Sequence, residues 1–179
     1  KIMTSLKKHA MTLNEISKMT KITSGGTLKK YLEILQLANF VGTYFPMNKG
    51  NKSKNVKYFI ADSFCHFYLS YVVKNRAIIE QKNLKNLFQK IVLPSWKGYQ
   101  GLAFERLVFQ EASLIAKVCG IDDEVKLVGK IYPDAKIKTQ FDLVFEKFDN
   151  SLSIFEIKSS EYVDETVINE FEKKIQSVL

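Results

Sequence analysis

Thr139-Gln140-Phe141-Asp142-Leu143-Val144-Phe145, followed by Leu152-Ser153-Ile154-Phe155-Glu156-Ile157-Lys158, is the stretch on which the fold of the C-terminal half turns. Both runs alternate with the period of two that marks strands. Phe141, Leu143 and Phe145 fall on one face of the first run and Asp142 on the other, while Glu156 and Lys158 share a face of the second. Asp149-Asn150-Ser151 supplies a turn, so the two runs read as a hairpin that brings Asp142 near Glu156 and Lys158. Two acids and a lysine on one face of otherwise apolar strands need a reason, because unpaired charge in a sheet is costly. One reason is a divalent cation such as Mg²⁺, held by the carboxylates while the lysine orients or helps deprotonate an attacking water. The other is an edge hairpin on which Lys158 bridges Glu156 or Asp142 in solvent; spacing alone leaves both readings open.

Upstream, a long helix is expected after Pro94-Ser95-Trp96-Lys97-Gly98-Tyr99-Gln100-Gly101, with Phe104, Leu107, Val108, Ala112, Ile115 and Ala116 as its apolar face and Glu105 in its first turns. Downstream, a helix is expected from about Asp164 to Val178. Asp62 to Val73 is an aromatic-rich helical stretch, capped by Asp62 or Ser63, whose Phe64, Phe67, Tyr68 and Tyr71 read as core. His66 is read as structural, because the other histidine, His9, is far along the chain and no ligand stands at metal spacing beside it.

The first sixty residues have a different pattern. Thr12, with Glu15 three positions on, marks a capping box for a short helix that turns Leu13, Ile16 and Met19 inward. A turn containing Gly25-Gly26 leads to a second helix, about Thr27 to Leu37, with Leu28, Leu32 and Leu35 on one face. Phe40 to Phe45 and Val56 to Ile60 read as strands around the basic loop Pro46 to Asn55. Helix, turn, helix and basic hairpin follow the order of a winged helix-turn-helix, over residues 1–60. On that reading Ser24, Thr27, Lys29, Lys30 and Glu33 lie on the exposed side of the second helix, and Lys49, Lys52, Lys54 and Lys57 are placed for phosphate contact. The same fold also serves as a protein-interaction or hinge module without DNA.

Charge follows this division. The chain has 179 residues and a formal charge of +8, yet residues 1–98 hold 17 Lys and Arg against 4 acids, and the rest hold 10 against 15. A basic half is the footprint of a polyanion-binding module, or simply a soluble lysine-rich surface. At 46% hydrophobic and 26% charged, with 3 Pro, the sequence excludes disorder, and one domain or two small ones fit the length. No apolar run approaches the roughly 18 residues of a membrane span, and the stretch Lys1-Ile2-Met3-Thr4 does not read as an export signal. A cytoplasmic location is expected, with Cys65 and Cys119 as buried reduced thiols. Scarce His and Cys argue against a Ser-His-Asp or Cys-His nucleophile, and no phosphate-cradling Gly-rich loop is present. The first residue, Lys1, points to a fragment of something longer.

Asp142 and then Glu156-Ile157-Lys158-Ser159-Ser160 resemble the Asp...(Asp/Glu)-x-Lys signature of the PD-(D/E)xK nuclease superfamily, with Glu105 where many members carry a further acidic ligand. The wider pattern, Tyr58-x-Ile60-x-Asp62, Tyr99-x-Gly101-x-x-Phe104-Glu105, Phe141-Asp142 and Glu156-x-Lys158, is similar to the C-terminal region of the archaeal-type AAA ATPases. That resemblance spans nearly the whole chain. It implies an α+β architecture: the winged helix of residues 1–60, a helical connector over 61–98, and an α/β restriction-endonuclease-like domain over 99–179 that stops short of its last strand. Asp142, Glu156 and Lys158 would be catalytic, Glu105, Asp142 and Glu156 would bind Mg²⁺, DNA would be the substrate, and ATP would enter only through an ATPase domain upstream. The alternative is a catalytically silent DNA-binding or protein-interaction module that regulates that ATPase. The sequence departs from the family in having Gln140 where an acid often stands, and Pro133-Asp134 is a rival first aspartate, set aside because it sits in a turn-like stretch.

Overall fold

The computed structural model describes residues 1–49, 53–81, 85–134 and 137–177. It is a mixed helix and sheet structure whose residues group into two compact units: Lys1–Tyr44 with Asn51–Tyr99, and Phe45–Gly50 with Gln100–Leu179. Among the described residues no helix is long and apolar enough to cross a membrane.

In the first unit, α1 (Ile2–Ser5), α2 (Leu13–Thr20) and α3 (Gly26–Leu37) precede an antiparallel pair, β1 (Val41–Tyr44) and β2 (Lys57–Ile60). α2 begins where it does because Thr12 Oγ1 accepts from the Glu15 amide at 3.3 Å while Glu15 Oε2 accepts from the Thr12 amide at 2.6 Å. This reciprocal cap satisfies donors that a helix start otherwise leaves without partners. Ile16, Leu28, Leu32, Val41 and Ile60 form a shared core with Ile2, Leu6 and Met11. Met19 does not join it: 61% exposed, it leaves the inward position near the helix end to Thr20, whose hydroxyl bonds the Ile16 carbonyl at 2.8 Å.

The aromatic stretch is more irregular than its sequence suggests. α4 (Ser63–Phe67), capped by Asp62 on the Cys65 amide at 2.6 Å, runs into a π-helical turn, Tyr68–Val72, and then a 3₁₀ turn, Val73–Asn75. The widened turn alters the angle between successive side chains, and within it Tyr71 is buried while Tyr68 is exposed; in α4 before it His66 is buried and Phe64 exposed. The His66 ring meets the Lys7 carbonyl at 2.9 Å and packs on Tyr99, a structural placement. α5 (Arg76–Ile79) and α6 (Leu87–Ile91) follow.

α7 (Trp96–Gln110) starts before Gly101 rather than after it, and the helix breaks at Glu111 before α8 (Ala112–Val118). Ala112, Ala116, Val108 and Ile115 face the core as expected, whereas Phe104 and Leu107 are exposed. Cys119, expected buried, is exposed, and Cys65 is half-buried; both are free thiols.

The sheet of the second unit is an antiparallel meander, β3 (Val125–Ile131), β4 (Phe141–Lys147) and β5 (Leu152–Phe155), in the order β3-β4-β5. Neighbouring α8 packs on Leu143, Phe145 and Ile157, and α9 (Glu165–Gln176) contributes Phe171 and Ile175 to the cluster around Ile131, Phe141 and Val144. The sheet is therefore covered on both faces, which is why Phe141, Leu143, Val144 and Phe145 are all fully buried. Phe141 joins Val144 rather than Leu143 and Phe145. The cause is a β-bulge: Gly129 pairs with Val144 and Ile131 with Phe141, so Asp142 and Leu143 together oppose Lys130, and the parity of β4 flips there.

Candidate metal centre

β5 ends at Phe155, three residues short of the expected strand, so Glu156 and Lys158 sit at its exit. The register Val144 to Ile154 and Leu143 to Phe155, continued by one step, sets Asp142 against Glu156. Asp142 Oδ2 accepts from the Ile157 amide at 3.1 Å, which fixes the exit segment against β4. Gln140 Nε2 lies 3.4 Å from Asp142 Oδ1 and donates to the aspartate. The rival Asp134 is used in its own turn, accepting from the Ile137 amide at 2.8 Å and from Asn48 Nδ2 at 2.6 Å.

The Glu156 side chain is 9% exposed. Its Oε1 accepts from Lys158 Nζ at 2.8 Å and from Lys174 Nζ at 2.6 Å. Its Oε2 is buried and takes no hydrogen bond from any described residue. Burial works to raise the Glu156 carboxyl, but the hydrogen bonds from Lys158 and Lys174 outweigh it and hold it below the ordinary glutamate value. Reciprocally, the bond to Glu156 raises Lys158, which stays protonated throughout the neutral range. As arranged here Lys158 is a donor, able to orient a water and not to take its proton.

Glu105, on α7, belongs to the same neighbourhood. Burial, then the charge of Asp142, push its carboxyl up, with Lys130 and Lys158 pulling it down and Glu156 adding to the rise. Asp142 is 7% exposed and Lys130, on β3 opposite the bulge, 8%. Burial lowers the Lys130 ammonium against the pull of Asp142 and Glu105, with Arg106 adding to the fall, and its Nζ stands 5.0 Å from the centre of the Phe109 ring. Among the described residues no three His, Cys, Asp or Glu side chains form a ready metal cage. Glu105, Asp142, Glu156 and Lys158 nonetheless act electrostatically on one another. Lys130 and Lys174 escaped the sequence reading. Their signals were a lysine inside the apolar run Val128-Gly129-Lys130-Ile131, and a basic residue between Phe171 and Ile175 on an amphipathic helix.

On the first unit, Ser24, Thr27, Lys29, Lys30 and Glu33 are all exposed, with Lys29 Nζ 3.9 Å from Glu33 Oε1. Lys57 is drawn to Glu15 at 2.8 Å, an ion pair that engages it within the unit. Lys54 is exposed; Lys52 lies outside the described residues. Lys49 is also exposed, but it belongs to the segment Phe45–Gly50 of the second unit, where Pro46 bridges Lys130 and Asn48 Nδ2 bonds the Tyr132 carbonyl at 2.8 Å. The loop between β1 and β2 is thus not a simple free wing tip.

No protein-family model, curated protein or solved structure matches the chain.

Proposed function

We propose that the second unit is a PD-(D/E)xK nuclease-like domain acting on DNA, and that the first is a winged helix that binds it. The observation that carries the reading is the buried Glu156 Oε2 with no donor among the described residues, next in register to Asp142 and within electrostatic reach of Glu105. A buried carboxylate oxygen with no protein donor is costly unless something else completes it. Mg²⁺ suits the donor set, since it needs only one or two carboxylates and keeps several waters. Glu105, Asp142 and Glu156 would hold it. Bound there, the ion would supply charge stabilisation at the phosphate and a more acidic water.

The chain's own residues divide the remaining work. Asp142 is oriented by the Ile157 amide, so its carboxylate is fixed before any ligand arrives. Lys158 donates toward the site and would direct the water at the phosphodiester, which is hydrolysed by in-line displacement. Exposed Lys29 and Lys30 on α3 would hold DNA by its phosphates. We further place the chain, by its motifs, as the C-terminal part of an AAA-type ATPase, to which ATP hydrolysis would belong.

One observation favours the silent alternative. Lys130, Lys158, Lys174 and Arg106 outnumber the three acids, a balance that suits holding a phosphate at least as well as a cation. Cleavage of supercoiled and linear DNA with Mg²⁺ or Mn²⁺ separates the two. Metal-dependent nicking abolished by chelator, Asp142→Ala and Lys158→Ala establishes the nuclease. Salt-sensitive binding without nicking, retained by Asp142→Ala and at most weakened by Lys158→Ala, establishes the silent module.

A further inference from the structure

Glu156 is held by two lysines of different origin. Lys158 follows it by two residues on the same strand exit; Lys174 comes from α9, where Phe171 and Ile175 pack on the sheet and fix the turn that carries it. Both ammonium groups share Oε1, at 2.8 and 2.6 Å, while Oε2 of the same carboxylate is buried with no donor among the described residues. A carboxylate that already neutralises two monocations presents little residual charge to a dication. Lys158 belongs to the strand motif and Lys174 does not, so Lys174 is the cation the reaction can dispense with. We infer that Lys174 competes with the divalent metal for the charge of Glu156, so that metal affinity at the open Oε2 is set from α9. This rests on the metal-site reading given above.

The competition has a direct readout in metal affinity, apart from any cleavage. Mn²⁺ is titrated calorimetrically into the whole chain and into Lys174→Met, Lys174→Arg and Asp142→Asn. Lys174→Met is expected to bind about tenfold more tightly, the effect of removing one unit charge that shares the Glu156 carboxylate and is partly screened by solvent. Lys174→Arg, which keeps the charge, is expected to bind like the parent, and Asp142→Asn to lose the site. Equal or weaker binding by Lys174→Met, with Asp142→Asn still deficient, overturns the inference and leaves the metal site standing. Undiminished binding by Asp142→Asn, or no binding by the parent chain, overturns the metal-site reading itself. A thermal melt without metal checks the fold of each variant, and Lys174→Gln, which keeps a donor for Oε1, replaces Lys174→Met if that variant melts early.

Discussion

Replacing Glu156 by Gln removes the one carboxylate on which Lys158 and Lys174 converge, and its effect on stability should depend on pH in a defined direction. Hydrogen bonds to a charged partner contribute about 1.5–3 kcal/mol each when buried. The lysines here are 44% and 33% exposed, so solvent screening reduces each contribution sharply. Gln also keeps an oxygen that can accept. A loss of about 1–2 kcal/mol at pH 7 follows, which with a urea slope of about 2 kcal/mol/M moves the unfolding midpoint down by roughly 0.5–1 M. The glutamate is held below its ordinary value in the folded chain, so the folded state binds its proton less readily than the unfolded state does. Its contribution is therefore complete above the unfolded value, near 4.3, and fades as pH falls through the lower folded value. Urea titrations of parent and variant at pH 7 and pH 3, followed by circular dichroism, should show the gap at pH 7 and its narrowing at pH 3. An equal gap at both pH values, or none at pH 7, would refute the claim that the two lysines are bound to an ionised Glu156.

Two further outcomes test the units separately. Phe145→Ala opens the buried cluster of Leu143, Ala112, Ala116 and Ile157 and removes an edge-to-face contact with Phe155 at 5.4 Å, so it should cost about 3–5 kcal/mol in chemical denaturation. Lys29→Ala with Lys30→Ala should weaken DNA binding alike on all sequences and lower the slope of log affinity against log salt by up to about 2, measured by fluorescence anisotropy; an unchanged slope would remove α3 from the DNA contact.

Local signals with one dominant physical cause were legible. The Thr12 and Glu15 cap, the α3 stripe of Leu28 and Leu32, the Asp62 cap and the turn at Asp149 to Ser151 each rest on neighbours in sequence, and each is found where expected. The juxtaposition of Asp142 with the Glu156 segment was legible too, since a hairpin register needs only a turn and an alternation. β3 was not, because Val125–Ile131 pairs with β4 through two register shifts that disrupt any regular alternation. Phe141 was assigned to the wrong cluster for the same reason: the bulge opposite Lys130 is a property of the pair of strands. Lys174 reaches Glu156 across 18 residues of chain, a distance that no local pattern encodes.

The chain crosses between its units at residues 44 and 45, at 50 and 51, and again at 99 and 100. In the second unit a Cβ on Gly129 would meet Met47 Cγ at 2.5 Å and the Phe45 carbonyl oxygen at 3.0 Å, so β3 is shaped around a segment contributed from far upstream. No single cut yields two complete pieces. A fragment starting at residue 100 would lack Pro46, Met47 and Asn48, exposing one side of β3 and leaving the Tyr132 carbonyl and Asp134 without the Asn48 amide. For this protein, separating the proposed DNA binding from the proposed chemistry calls for point substitutions in the uncut chain.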